Sequence, residues 1–218
     1  MRINMCLRER ASCEDESIDE IAAFLGVGEA VAEMTSRAMG GSMLFQDALK
    51  MRLDLMAISS ESMTRFLAEH PARLSPGIRE LVALLHSRGV QVYLVSGGFR
   101  LVIHPIADAL NIPQSNVFAN TLLFNTDGSY SGFDPVEFTS RSGGKREAVA
   151  AVAARDGHET IVMVGDGATD AEARAPGAAA LFVGYGGVVY REAVAQKADW
   201  YITRVQQLID ALESKSSA

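Results

Sequence analysis

The sequence predicts an α/β protein built on a parallel sheet, and three observations carry that prediction. Helix and strand patterns alternate from residue 75 to the C-terminal end. Three short apolar runs, VQVYLVSGG (90–98), TIVMVGDG (160–167) and ALFVGYGG (180–187), each close on glycine. Residues 18–70, by contrast, carry helical spacing and no strand signal of comparable strength. Alternation of this kind implies right-handed crossovers with helices on both faces of the sheet. It also places ligands outside the carboxyl ends of the strands.

Each element has its own local reason. Ile18, Ile21, Ala22 and Leu25 recur at helical spacing, and Gly26 supplies a stop. LFQDALKMRLDLM (44–56) is a second helix, and a third covers roughly 60–69 before Pro71. PGIRELVALLHSR (76–88) has Pro76 in its first turn and Gly89 after its last. FRLVIHPIADALN (99–111) is helical, with a break or kink expected at Pro105. FANTLLFNTDGSYSGF (118–133) gives two β-rich runs around Asp127-Gly128, a hairpin signal. GGKREAVAAVAARDG (143–157) is a helix, TDAEARAPG (169–177) a short helix with a Pro-Gly stop, and REAVAQKA (191–198) another helix. WYIT (200–203) is a further short strand, and VQQLIDALES (205–214) the last helix.

Composition narrows the function. With 20 Lys and Arg against 27 Asp and Glu, the net charge of −7 argues against a nucleic-acid binder, which needs a basic face. A hydrophobic share of 48% and a charged share of 22% exclude disorder, collagen and a disulfide scaffold. The 218 residues suit one core domain with a smaller inserted one. Cys6 and Cys13, with the scattered His70, His86, His104 and His158, cannot make a structural zinc site. Reduced thiols in an intracellular compartment are expected, with plastid and cytoplasm both open. No apolar run reaches the roughly 18 residues of a membrane span, and MRINMCLRERASCEDES has no apolar secretory core. The expected partner is a small molecule, not a nucleic acid or a membrane; a homodimer stays open.

Three segments carry chemistry. Gly165-Asp166-Gly167-Ala168-Thr169-Asp170 follows an apolar strand, so two carboxylates four apart face one strand-to-helix turn. Oxygen ligands of this kind suit Mg²⁺, which takes only one or two protein carboxylates and keeps waters. An N-cap at Thr169 or Asp170 is the bland alternative, but the longer string GDGxTDxxA is more specific than an isolated GDG. Val95-Ser96-Gly97-Gly98-Phe99 again runs from strand into glycines and helix. Its hydroxyl and free N–H groups form an anion site or a plain serine cap. Ser142-Gly143-Gly144-Lys145 sets a point charge at a helix start, a place the macrodipole disfavours. Arg52 falls on the stripe of Phe45, Ala48, Leu49 and Met56, where a guanidinium needs a partner. A substrate carboxylate would serve, and so would snorkelling or a salt bridge.

In this order the motifs resemble those of the haloacid-dehalogenase superfamily of phosphohydrolases, and within it the phosphoserine phosphatases, plant-type members in particular. The matching strings are SIDE (17–20), RAMGGS (37–42), SPGI (75–78), VYLVSGGFR (92–100), FANTLLF (118–124), SRSGGK (140–145), VGDGATDAEA (164–173) and ADWYI (198–202). The likeness runs from about Ser12 to Leu212. It implies a Rossmann-like parallel sheet core over 1–17 and 72–218, its first strand poorly represented, with a small helical cap over 18–71. It implies Mg²⁺-dependent hydrolysis of L-phosphoserine in serine biosynthesis. Ser96, Gly97, Lys145 and Thr169 would hold phosphate; Asp166 and Asp170 would serve the metal; Glu16, Met39, Phe45 and Arg52 would recognise the amino-acid part.

One motif departs from the family. The resemblance implies a first strand ending in DxDST, whose first Asp attacks phosphorus and whose second is the acid/base. Aligned back from Ser12, those positions hold Leu7 and Glu9, and MRINMC does not read as the apolar central strand. Leucine cannot form an acyl phosphate, so hydrolysis is expected to be impaired. The alternatives are a catalytically inactive phosphoserine- or phosphate-binding protein, or a truncated isoform.

Overall fold

A computed structural model describes residues 3–7, 17–39, 43–157 and 160–214. Its core is a six-stranded sheet in the order β3-β2-β1-β6-β7-β8. The strands are β1 (Ile3–Leu7), β2 (Gln91–Phe99), β3 (Val117–Asn120), β6 (Thr160–Gly165), β7 (Leu181–Tyr185) and β8 (Trp200–Ile202), all paired in parallel. The reversal of strand order on either side of β1 makes a crevice at the carboxyl ends of β1, β2 and β6.

The central strand corrects the sequence reading, which left MRINMC outside the sheet. Residues Ile3–Leu7 form β1, in register with β2 (Leu7 opposite Leu94) and with β6 (Leu7 opposite Val164). Its pleat sends Met5 and Leu7 to one face and Cys6 to the other, all three buried. Three apolar side chains suffice because the backbone is paired on both sides by strands that are themselves strongly apolar. Tertiary context overrides a weak local pattern here.

Helices cover both faces. On one lie α5 (Ile78–Ser87), α6 (Arg100–Ala109) and α10 (Gln206–Ser214), which bury Leu81, Leu85, Ile103, Ile106, Leu208 and Ile209. Pro105 stays inside α6 without ending it. On the other face lie α7 (Gly144–Asp156), α8 (Ala168–Ala171) and α9 (Glu192–Ala195), with Ala148, Val149, Val152 and Val194 buried against Tyr93, Met163 and Phe182.

A third apolar cluster belongs to α1 (Ser17–Phe24), α2 (Gly28–Met39), α3 (Phe45–Met56) and α4 (Ser60–Glu69). Its centre is Ile21, Val31, Leu49, Leu53, Met63 and Phe66. The antiparallel hairpin β4 (Leu122–Phe124) and β5 (Tyr130–Phe133) contributes Leu122, Phe124, Tyr130 and Phe133 to the same cluster. Its turn touches α4 directly: the Ser60 N–H donates to the Gly128 carbonyl at 2.9 Å. The run FANTLLF is therefore split, with Val117–Asn120 joining the main sheet and only Leu122–Phe124 entering the hairpin.

Candidate functional site

The crevice gathers side chains from four elements. Ser96, near the end of β2, is 2% exposed, and its Oγ accepts the Gly98 N–H at 2.9 Å. The loop behind it is fixed by a relay: Asn120 Nδ2 donates to the Gly97 carbonyl at 2.8 Å, and Thr139 Oγ1 donates to Asn120 Oδ1 at 2.9 Å. Phe45, at the start of α3, lies over Gly97, 3.7 Å from where a Cβ would stand. The Phe45 N–H donates to Ser142 Oγ at 3.3 Å, which ties the first turn of α3 to the loop before Lys145.

Lys145 and Asp170 form the buried heart of the site. Lys145 Nζ lies 2.5 Å from Asp170 Oδ1, with side-chain exposures of 9% and 0%. Asp170 Oδ2 accepts the Gly167 N–H at 2.9 Å. Two glycines make the approach possible. A Cβ on Gly165 would collide with the Asp170 carboxyl, and one on Gly144 would overlap the Phe138 carbonyl. Lys145 thus sits at a helix start, against the macrodipole, because a buried carboxylate meets it there.

Asp166 follows directly on β6 and is 2% exposed. Its Oδ2 lies 3.2 Å from Arg191 Nη1, and its carbonyl accepts from the same nitrogen at 3.3 Å. Two oxygens of one residue therefore converge on a cation position. Among the described residues, no three His, Cys, Asp or Glu side chains gather as a metal cluster. What is present fits a magnesium ion held by a single protein carboxylate, with water and a substrate phosphate completing the shell. Leu7 adds nothing to that shell: it is fully buried in the apolar cluster, between Leu94 and Val164.

The structure brings Ser96, Gly97, Lys145, Asp166 and Asp170 to the carboxyl ends of β2 and β6, with Thr169 exposed beside them. Arg52, seven residues along α3 from Phe45, is half-buried, and its Nε donates to the Ala48 carbonyl at 3.1 Å. Met39 closes α2. Glu9 and Glu16 lie outside the described residues. Sequence reasoning missed Asn120, Thr139 and Arg191. Arg191 carried a readable signal, since an arginine just before a helix opposes the macrodipole as Lys145 does.

A second charged relay braces the end of β2. Arg100 Nε and Nη2 donate to the two Glu137 carboxylate oxygens at 2.7 and 2.9 Å, and Arg100 Nη1 donates to the Val117 carbonyl. Thr121 Oγ1 donates to Glu137 Oε1 at 2.7 Å. Burial pushes the Glu137 carboxyl up, but the hydrogen bonds from Arg100 and Thr121 and the Arg100 charge outweigh it and hold the group below the usual range.

Comparison with known proteins gives a consistent picture. The family model described as haloacid dehalogenase-like hydrolase matches residues 10–176. The chain is 53% identical over 201 residues to the chloroplastic phosphoserine phosphatase of Arabidopsis thaliana, covering 92% of this chain and 68% of that one. It is 51% identical to the phosphoserine phosphatase of Bos taurus, covering 92% and 88%. Among solved structures, a phosphoserine phosphohydrolase-like protein from Francisella tularensis superposes with a TM-score of 0.82 at 27% identity, covering 97% of this chain and 99% of that one. DsGPDH of Dunaliella salina superposes with a TM-score of 0.81 at 35% identity; this chain spans 35% of its length.

Proposed function

Because this chain belongs to the haloacid dehalogenase-like hydrolase family, we propose that its crevice binds L-phosphoserine as a phosphomonoester substrate. The convergence of Ser96, Lys145 and Asp166 at the carboxyl ends of β2 and β6 carries the reading, and the relatives' names supply the substrate. In this reading the Ser96 hydroxyl, the Gly97 backbone and Lys145 hold the phosphate, with Thr169 at its rim. Positive charge fixed before substrate arrives stabilises the charge that develops on phosphoryl oxygens. Asp166 holds Mg²⁺, and Asp170 keeps Lys145 and the Gly167 turn in place. The ion, when bound, neutralises phosphate charge. Arg52 and Glu16 take the carboxylate and ammonium of the serine, and Phe45 and Met39 line the pocket. The helices over 18–71 act as the cap.

Hydrolysis is the step this chain performs poorly. Leu7 stands where the resemblance places the nucleophile, and Glu9 where it places the acid/base. A buried leucine offers no atom to phosphorus. That observation also favours a second reading, a phosphoserine-binding protein without turnover. Phosphate release from L-phosphoserine with Mg²⁺, beside an Asp166→Ala control, decides between them. We expect release far below the usual range of about 1–10³ s⁻¹, with calorimetric binding of L-phosphoserine retained. Release at ordinary rates that vanishes in the control overturns the impairment and returns the chain to the active enzymes.

A further inference from the structure

We propose that Arg191 is a built-in competitor for the metal at Asp166, so that its guanidinium and Mg²⁺ occupy that carboxylate in turn. The inference rests on the reading of Asp166 as the metal-binding residue, and it concerns a residue that reading does not use. Arg191 Nη1 lies 3.2 Å from Asp166 Oδ2 and 3.3 Å from the Asp166 backbone carbonyl oxygen. The carboxylate is 2% exposed, so its charge depends on a nearby cation, whereas the Arg191 side chain is 39% exposed and free to swing outward. Two cations cannot share one carboxylate oxygen without mutual repulsion, so each weakens the other's hold by the same factor.

The backbone of Arg191 is held in place by its surroundings, while its side chain is partly open to solvent. Its backbone N–H donates to Tyr201 Oη at 3.4 Å. Tyr201 lies flat against the chain at Gly184 and Gly186, where any Cβ would collide with it, and Tyr190 meets its ring edge-on at 5.4 Å. The segment from β7 to α9 therefore holds Arg191 at the mouth of the crevice. Leu7 contributes no carboxylate and the Asp170 carboxylate is paired with Lys145, so in this reading Asp166 is where Arg191 and the ion meet.

The test is calorimetric titration of MgCl₂ into the full chain and into Arg191→Gln and Arg191→Lys, without substrate. The glutamine variant should bind Mg²⁺ about tenfold more tightly than the natural chain, with the lysine variant between them. Thermal melts establish that both variants fold. Equal or weaker Mg²⁺ binding by a folded Arg191→Gln overturns the competition and leaves Asp166 as the metal residue. Absence of Mg²⁺ binding in all three chains overturns the metal reading of Asp166 and this inference with it.

Discussion

Lys145 and Asp170 are joined by a buried ion pair, Nζ to Oδ1 2.5 Å, that ties the first turn of α7 to α8. Breaking such a pair removes the opposite charge from a buried group. Lys145→Ala should lower stability by about 3–5 kcal/mol, and Asp170→Asn somewhat less, because its amide still accepts from the Gly167 N–H. Urea unfolding of the two variants beside the natural chain measures this. Loss of phosphate binding should be complete in the lysine variant.

Gly144 has no room for a side chain, since the Phe138 carbonyl occupies the space. Gly144→Ala must push α7 away from residues 138–139 and carry Lys145 with it. A loss of about 3 kcal/mol is expected, read as a drop in melting temperature of about 6–12 °C for a chain of this size. An alanine at Gly26, where no atom lies near, should cost far less despite its positive φ.

The proposed role of Arg52 predicts that recognition of the serine can be separated from recognition of the phosphate. Arg52→Ala should weaken L-phosphoserine binding about tenfold or more through the lost carboxylate contact, while inorganic phosphate binds as before. Paired titrations with the two ligands check it. Equal weakening of both would place Arg52 in the structural support of α3 instead.

Leu7→Asp tests the vacancy at the end of β1. Under the impaired-hydrolysis reading, the substitution should raise phosphate release from L-phosphoserine above that of the natural chain. It should also lower stability by about 3 kcal/mol in the absence of Mg²⁺, since the carboxylate enters an apolar cluster. A melting temperature that recovers on adding Mg²⁺ would show the new carboxylate meeting the ion. Folded Leu7→Asp without turnover would place the deficit in residues 8–16 as well.

Glu137 gives a pH dependence of known sign. Its folded pKa is depressed, so the stability it contributes is full above the ordinary glutamate value of about 4.3 and disappears as pH falls through the folded value. The stability difference between the natural chain and Glu137→Gln should be steady near neutrality and shrink on acidification toward pH 3. Denaturant melts across that window measure it.

The alternating half of the fold was legible because three of its strand runs close on glycine and alternate with helical patterns. The first strand was not, because Ile3–Leu7 is only five residues long, interrupted by Asn4 and followed by charged residues; its two neighbours define it. Helix α2 was absorbed into a general helical stretch, since among the described side chains of GEAVAEMTSRAM only Val31 lies in the cluster centre. Ser96, Lys145 and the GDG string were readable as local motifs, but their meeting was not, because it depends on strand order. Asn120 and Arg191 act across 23 and 25 residues of chain, through contacts that no local pattern records.

The hairpin β4–β5 has a consequence for how this molecule can be taken apart. By position in the chain it belongs to the sheet domain, yet Leu122, Phe124, Tyr130 and Phe133 pack with the helices of residues 17–69. Excising those helices would strand four hydrophobic side chains on the surface of what remains, and transplanting them alone would carry away a hollow. The inheritable unit is discontinuous: a change in one part must be matched in the other, so the two stretches should drift together when such chains diverge.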